Sequence, residues 1–311
     1  MNSKTVCTPL LVLLSTLVLA GCVSGKSPSP PPQNTDANNG DSVLAALPGF
    51  KAVESEGRDE ATGLWKEIEH IKTGIRLRLV PAGEFDMGGQ AIYTKVVFVE
   101  GIGEEIAYNE DTHPAHHVKI SRPFYMGKYE LTQAQWKAVM GADNNPSKWQ
   151  GDDLPVDSLS WNMAEDFLKE AGDGLRLPTE AEWEYACWAG SKGAGYDERK
   201  LSDYAWYYPN SKDKTHPVGQ KKPNAWGLYD MLGNVWEWCS DRYDDKYYEE
   251  CKNGVTDPQG PEKGVHRVAR GGSFYADGWS AHPAHRLMIP GPDAGGWYCG
   301  FRVVRDAGAD N

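Results

Sequence analysis

The chain has 311 residues, with 44 acidic against 32 basic side chains and a formal net charge of −12. Binding to nucleic-acid phosphates draws on a clustered positive face, and no basic stripe interrupts this acidic balance, so a nucleic-acid partner is excluded. Twelve tryptophans and 34 glycines point to a loop-rich domain whose core is filled by large rings rather than long helices.

Residues 1–22 read as an export signal. Lys4 supplies a short positive region, and the apolar run PLLVLLSTLVLA is too short to span a bilayer comfortably. It ends in Leu19-Ala20-Gly21-Cys22, a small-residue cleavage site directly before a cysteine. That pattern resembles the lipobox of bacterial lipoproteins, which implies lipidation of Cys22 and attachment to the membrane at the cell envelope. Val23, rather than aspartate, follows the cysteine; in a Gram-negative host this implies the outer membrane, on its periplasmic or surface face. Residues 23–43, rich in Ser, Pro, Asn and Asp, bury too little apolar surface to fold and read as a disordered tether. Residues 44–311 then form one globular domain, with no later apolar run of membrane-spanning length.

Within the domain, Ile75, Leu77 and Leu79 alternate with arginines before Pro81-Ala82-Gly83, a strand followed by a turn. A further extended pair begins near His116, with Val118 and Ile120 on one face. Three short helices are announced by their caps. Thr132 and Gln135 make a capping box for a helix with Trp136, Val139 and Met140 on one face. Ser160 caps a second, whose Trp161, Ala164 and Leu168 share a face and which Gly172 ends. Thr179 and Glu182 form another box, with Trp183, Ala186 and Cys187 pointing inward. Beyond Gly190 the helical period is lost, and turns and short extended pieces lead to the terminal strand CGFRVVRD. The class is α+β with much irregular chain.

Cysteine use fits an oxidising compartment. With Cys7 removed and Cys22 lipidated, Cys187, Cys239, Cys251 and Cys299 remain. Four cysteines allow three pairings and sequence does not choose among them; Cys239 with Cys251, close in sequence, and Cys187 with Cys299 is the preferred disulfide set. Walker, dinucleotide, HExxH and GxSxG motifs are absent. The paired carboxylates at 152–153 and 244–245 read as solvated turns.

Seven segments now carry a resemblance: LVPAGEFDMGG, HHVKISRPFYMGKYELTQAQW, LPVDSLSW, LRLPTEAEWEYACWAG, NAWGLYDMLGNVWEW, RVARGGSF and GFRVVRD. In this order they resemble the formylglycine-generating enzyme (sulfatase-modifying factor) family over Ile75 to Asp306. The resemblance implies the irregular α+β fold related to C-type lectins, with short helices and small twisted antiparallel sheets. Its founding activity oxidises a sulfatase cysteine to formylglycine with oxygen and a copper ion held by two cysteines. Relatives include iron enzymes, siderophore-maturing proteins, lipoproteins of envelope machinery and displays of variable binding surfaces, so fold alone does not fix function.

In the copper oxidases the segment opening Arg-Gly-Gly-Ser carries a cysteine three residues after the serine and another five residues later. Here it is Arg270-Gly271-Gly272-Ser273, and Ala276 and Ala281 occupy those two positions. The position after the first is Asp277, and Tyr298 replaces an asparagine expected near the terminal GFR. A methyl group offers no lone pair to cuprous ion, so copper is not expected. His282 and His285 would suit iron or copper through neutral nitrogens, making Ser273, Asp277, His282 and His285 the candidate catalytic groups. His113, His116 and His117 read as a strand-entry pattern instead. The iron enzymes take histidines from an N-terminal helical domain, where this chain has a tether. For calcium, the family match implies the side chains of Asn234 and Glu237, hard oxygen donors suited to that ion.

Two functions are compatible with this pattern. The first is a lipid-anchored binding or scaffolding module for a protein or small-molecule ligand. Its contact surface would be Phe274 to Arg286 and Gly295 to Cys299, drawing on Phe274, Tyr275, Asp277, Trp279, His282, His285, Arg286, Trp297 and Tyr298. In a variant these positions are diversified by a retroelement. The second is an oxidase of the same family, of formylglycine-generating or siderophore-maturing type, with a non-thiolate site at Asp277, His282 and His285.

Overall fold

The computed structural model describes residues 43–89, 97–98, 105–106, 112–191 and 200–308. The signal, Cys22 and the tether up to residue 42 lie outside the described residues. Among those described, no helix is long and apolar enough to cross a membrane.

Strands β1 (Phe50–Ala52), β2 (Glu67–His70) and β3 (Arg76–Val80) open an antiparallel sheet. The alternation at 75–79 works as read: Leu77 and Leu79 are buried while Arg76 and Arg78 stay partly exposed. Their guanidinium groups ion-pair with the buried Glu67 of β2. Strands β4 (Gly83–Met87) and β7 (His116–Ile120) pair antiparallel, with Val118 and Ile120 inward. Between them lies the small pair β5 (Val97–Phe98) and β6 (Glu105–Ile106). Strand β8 (Phe124–Gly127) lies between β3 and the last strand, β14 (Val304–Asp306), giving the order β1-β2-β3-β8-β14.

Each predicted cap forms. Thr132 and Gln135 close a reciprocal box on α1 (Gln133–Met140), and Thr179 and Glu182 do the same for α3 (Glu180–Trp188). Ser160 accepts from Met163 N–H at the start of α2 (Trp161–Ala171), and Gly172 stops that helix at φ 79°. Reciprocal caps of this kind contribute about 1 kcal/mol each. Nearly all of α3 is buried, including Glu180 and Glu184, which is possible only because cations meet both carboxylates. Three single-turn helices were not anticipated: α4 (Leu201–Tyr204), α5 (Tyr208–Ser211) and α6 (Tyr247–Glu250). Their four residues are too few to show a helical period.

The second half builds the sheet β12-β11-β9-β13 from β9 (Trp236–Arg242), β11 (Arg267–Arg270), β12 (Arg286–Ile289) and β13 (Cys299–Gly300), while β10 (Val255–Thr256) pairs with β7. Two aromatic-rich cores lie between the sheets and helices. One gathers Leu77, Trp136, Phe167 and Phe301, the other Val80, Trp183, Val268 and Val304.

The preferred disulfides do not form: all four described cysteines are free and buried. Cys187 belongs to one core and Cys299 to the other, which separates that pair. Cys239 lies within β9 in the second core, and Cys251 caps the end of α6. Each thiol fills apolar volume, as free cysteine usually does.

Candidate functional site

The Arg-Gly-Gly-Ser segment is the long connection of the β11–β12 hairpin, whose last pair is Arg270 with Arg286. Both arginines point into the protein and both find carboxylates on α3. Arg270 pairs with Glu184, while Arg286 Nε and Nη2 donate to the two oxygens of Glu180 at 2.7 and 3.0 Å. Arg270 Nη1 also donates to the carbonyls of Ala284 and His285, each at 2.8 Å. Desolvation opposes the charge on Arg270, but Glu184 and its neighbours outweigh it and hold the guanidinium above its ordinary range. The helix thus clamps the loop at both ends. Paired buried charges of this kind specify a conformation more than they add stability.

Gly272, at φ 79°, brings the loop back on itself. A Cβ there would stand 3.0 Å from the backbone of Ala281, so the turn needs glycine twice over. Ala281 is fully buried against Leu201 and Ala205, and Ala276 is half-buried. Ser273 is buried, and its hydroxyl accepts from Tyr275 N–H at 3.3 Å. Asp277 Oδ1 accepts from Ser280 N–H and Oγ–H at 3.1 and 3.0 Å, an Asx-type turn.

The two histidines differ most from expectation. They were placed on an exposed surface, yet His282 and His285 are buried, as are Phe274 and Arg286. The His282 ring meets Trp188 edge-on at 5.8 Å and its Nδ1 accepts from Ala284 N–H at 3.1 Å; His285 packs 5.7 Å from Trp236. Burial, then the charge of Arg270, pushes His282 down to about 4. The same causes, with His282 added, push His285 down to about 3. Both are neutral core rings, and the guanidinium beside them opposes protonation and cation binding alike.

Copper was not expected, and the calcium expected at Asn234 and Glu237 does not find free donors there. Copper lacks its two thiolates, and Cys299, the nearest thiol in sequence, is buried and pushed up to about 12 by desolvation. At the calcium position, Glu237 accepts from Arg302 Nε and Nη2, each at 2.6 Å, and from Trp183 Nε1 at 2.7 Å. Asn234, at φ 57°, accepts His216 N–H through Oδ1 at 3.0 Å and donates to Glu130 at 2.6 Å. A guanidinium takes up the carboxylate and a backbone amide takes up the amide oxygen, so neither side chain is open to an ion. Beside them Asp230 Oδ1 is buried without a partner. Burial, then the charges of Asp230 and Glu237, holds the Glu130 carboxyl well above the usual range. Among the described residues, no three His, Cys, Asp or Glu side chains are grouped to hold a metal.

What the loop does expose is aromatic. Tyr275 and Trp279 are 44% and 51% exposed, and Tyr208, from α5, is 57% exposed. Tyr208 meets Tyr275 edge-on at 5.9 Å, and Tyr275 meets Trp297 at 5.0 Å. Trp297 in turn contacts Trp149 at 5.7 Å and Tyr298 at 5.7 Å. Buried Phe274 underlies the set, 5.2 Å from Trp297. Three of the expected contact residues, Tyr275, Trp297 and Tyr298, thus share this face, and Trp279 is exposed on the same loop. Tyr208 and Trp149 were missed, because they belong to a one-turn helix and a loop distant in sequence. Behind Pro283 is a cavity of ≈ 290 Å³ lined by Cys187, Trp188, Leu201, Asn224 and Asp230. Burial holds its thiol far above the ordinary range, so Cys187 is not a nucleophile there.

Comparison with known proteins agrees with this architecture. The sulfatase-modifying factor enzyme 1-like domain matches residues 69–307. The chain belongs to the formylglycine-generating enzyme family. It is 30% identical over 279 residues to the chaperone protein LppX of Paenibacillus barcinonensis, covering 70% of this chain and 91% of that protein. It is 38% identical over 171 residues to the formylglycine-generating enzyme of Streptomyces coelicolor, a match spanning 49% of this chain and 53% of that enzyme. Among solved structures, PvdO from Pseudomonas aeruginosa aligns with a TM-score of 0.62 at 27% identity, over 77% of this chain and 97% of that one. Treponema denticola variable protein 1 aligns with a TM-score of 0.58 at 28% identity, over 75% and 95%. The few short helices and curled antiparallel sheets match these family neighbours.

Proposed function

We propose that this family member is a lipid-anchored protein of the cell envelope that binds a partner through its exposed aromatic face, rather than a copper oxidase. One observation carries the reading: the two thiolate positions are methyl groups, one packed shut against Leu201 and Ala205, while the same loop turns Tyr275 and Trp279 outward. The neutral, buried His282 and His285 supply no accessible acid, base or ligand in their place. Similarity to a protein named as a chaperone supports a role in holding other molecules. Cys22 is the anchoring residue, the tether sets the domain off the membrane, and in a Gram-negative host that membrane is the outer one. The family's chemistry therefore survives here as a scaffold.

The test offers full-length protein cuprous ion, oxygen and a cysteine-containing sulfatase peptide. Wild type is expected to retain no stoichiometric copper and to leave the peptide mass unchanged, and the Ala276→Cys/Ala281→Cys variant to gain copper affinity. Conversion of the peptide by wild type overturns the proposal.

A further inference from the structure

The aromatic face carries a fixed positive charge. The Lys148 ammonium stands 4.2 Å from the ring centroid of Trp297 and 4.7 Å from that of Trp149. Those two indoles meet at 61°, so their faces form a corner that holds the cation by its attraction to both ring quadrupoles. The corner is fixed from beneath. Lys148 N–H donates to the buried Asp157 at 2.7 Å, and Trp149 stands edge-on to buried Phe274 at 4.8 Å. Lys148 itself is exposed, and its ammonium has no carboxylate partner among the described residues. In a chain of net charge −12, this places a cation beside exposed rings, with buried Asp157 the carboxylate that feels its charge.

We infer that the face takes an acidic peptide segment of a partner protein, resting on the contact-face reading above. An Asp or Glu side chain meets the Lys148 ammonium while a neighbouring aromatic or large aliphatic side chain packs against Tyr275 and Trp279. The ring seat engages one side of the ammonium and leaves donors for a carboxylate. A peptide fits better than a glycan because the exposed rings are not coplanar. Tyr208 and Tyr275 meet at 88° and Tyr275 and Trp297 at 64°, which gives clefts between rings for side chains rather than a flat platform for a sugar face. Tyr and Trp, with two χ angles each, also offer large contact area for little ordering entropy.

The test pans a displayed random dodecapeptide library on the full-length chain. Enriched peptides are then titrated against wild type, Lys148→Gln, Lys148→Glu, Tyr275→Ala and Trp279→Ala, and the same proteins are passed over a glycan array. Enriched peptides are expected to carry Asp or Glu beside an aromatic or large aliphatic residue. Lys148→Gln should weaken their Kd about fivefold, the scale of one partly exposed charge pair, and Lys148→Glu should weaken it further. Changing the peptide acid to its amide should erase the difference between wild type and Lys148→Gln. Peptides that need Trp279 but ignore Lys148 overturn this inference and leave the contact face standing. Peptides indifferent to both Tyr275 and Trp279, or no enrichment, overturn both. Glycan binding that depends on Trp279 replaces the peptide with a sugar.

Discussion

Replacing His285 tests whether the loop is a sealed core or a latent acid–base site. Its folded value of about 3 lies far below the ordinary 6.5, so the neutral ring is the form that folds. Stability from this group is complete above pH 6.5 and is lost as pH falls from 6.5 towards 3. At pH 5 the unfolded imidazole is almost fully protonated and the folded one is not, a difference of about 2 kcal/mol. That figure barely changes if the folded value lies a full unit higher. His285→Gln cannot titrate. Its cost relative to wild type, from urea unfolding, should therefore be about 2 kcal/mol smaller at pH 5 than at pH 8. The comparison at each pH cancels every other titrating group. His282, with the same sign and a value of about 4, should make the double variant differ by about 4 kcal/mol. An equal cost at both pH values would mean that the folded ring accepts protons, and the loop would again be a candidate for catalysis.

Arg302→Met should destabilise the fold by about 3–5 kcal/mol in thermal unfolding, because it leaves Glu237 charged and buried, and Arg302→Met/Glu237→Gln should recover part of that loss. Burial pushes Asp157 up to about 6, so its favourable contribution is complete below about pH 4 and is lost as pH rises through 6. Asp157→Asn should accordingly gain about 2 kcal/mol relative to wild type between pH 4 and pH 8; a pH-independent difference refutes this. Iodoacetamide should leave Cys187, Cys239, Cys251 and Cys299 unlabelled in the native chain and label all four after denaturation without reductant. A pair that resists labelling after denaturation would show a disulfide.

The features legible in the sequence were local or shared with the family. Thr132, Ser160 and Thr179 announced three helices because a cap acts within four residues, and the alternation at 75–79 reports a half-buried strand directly. The matched segments gave the fold, and the two alanines gave the absence of copper thiolates. The site's interior was not legible, since it depends on partners far apart in the chain. Nothing beside Glu180 and Glu184 says that Arg286 and Arg270 will meet them, and without those pairs α3 reads as half-exposed. Histidines three apart in a glycine-rich loop look solvent-facing until that clamp draws the loop inward. Lys148 and Tyr208 join the aromatic face only through tertiary contact, so no window of sequence contains it.

The final strands set an order of events during synthesis. β14 closes the sheet begun by β1, and β13 pairs with β9. Between them, Phe301 and Val303 accept backbone hydrogen bonds from Leu131 and Gly127. Arg302 supplies the counter-charge for Glu237. Until Cys299–Asp306 is made, Glu237 has no counter-ion, both sheets lack an edge and the two cores lack Phe301 and Val304. Native closure therefore waits on contacts that span most of the chain, the slow kind to form.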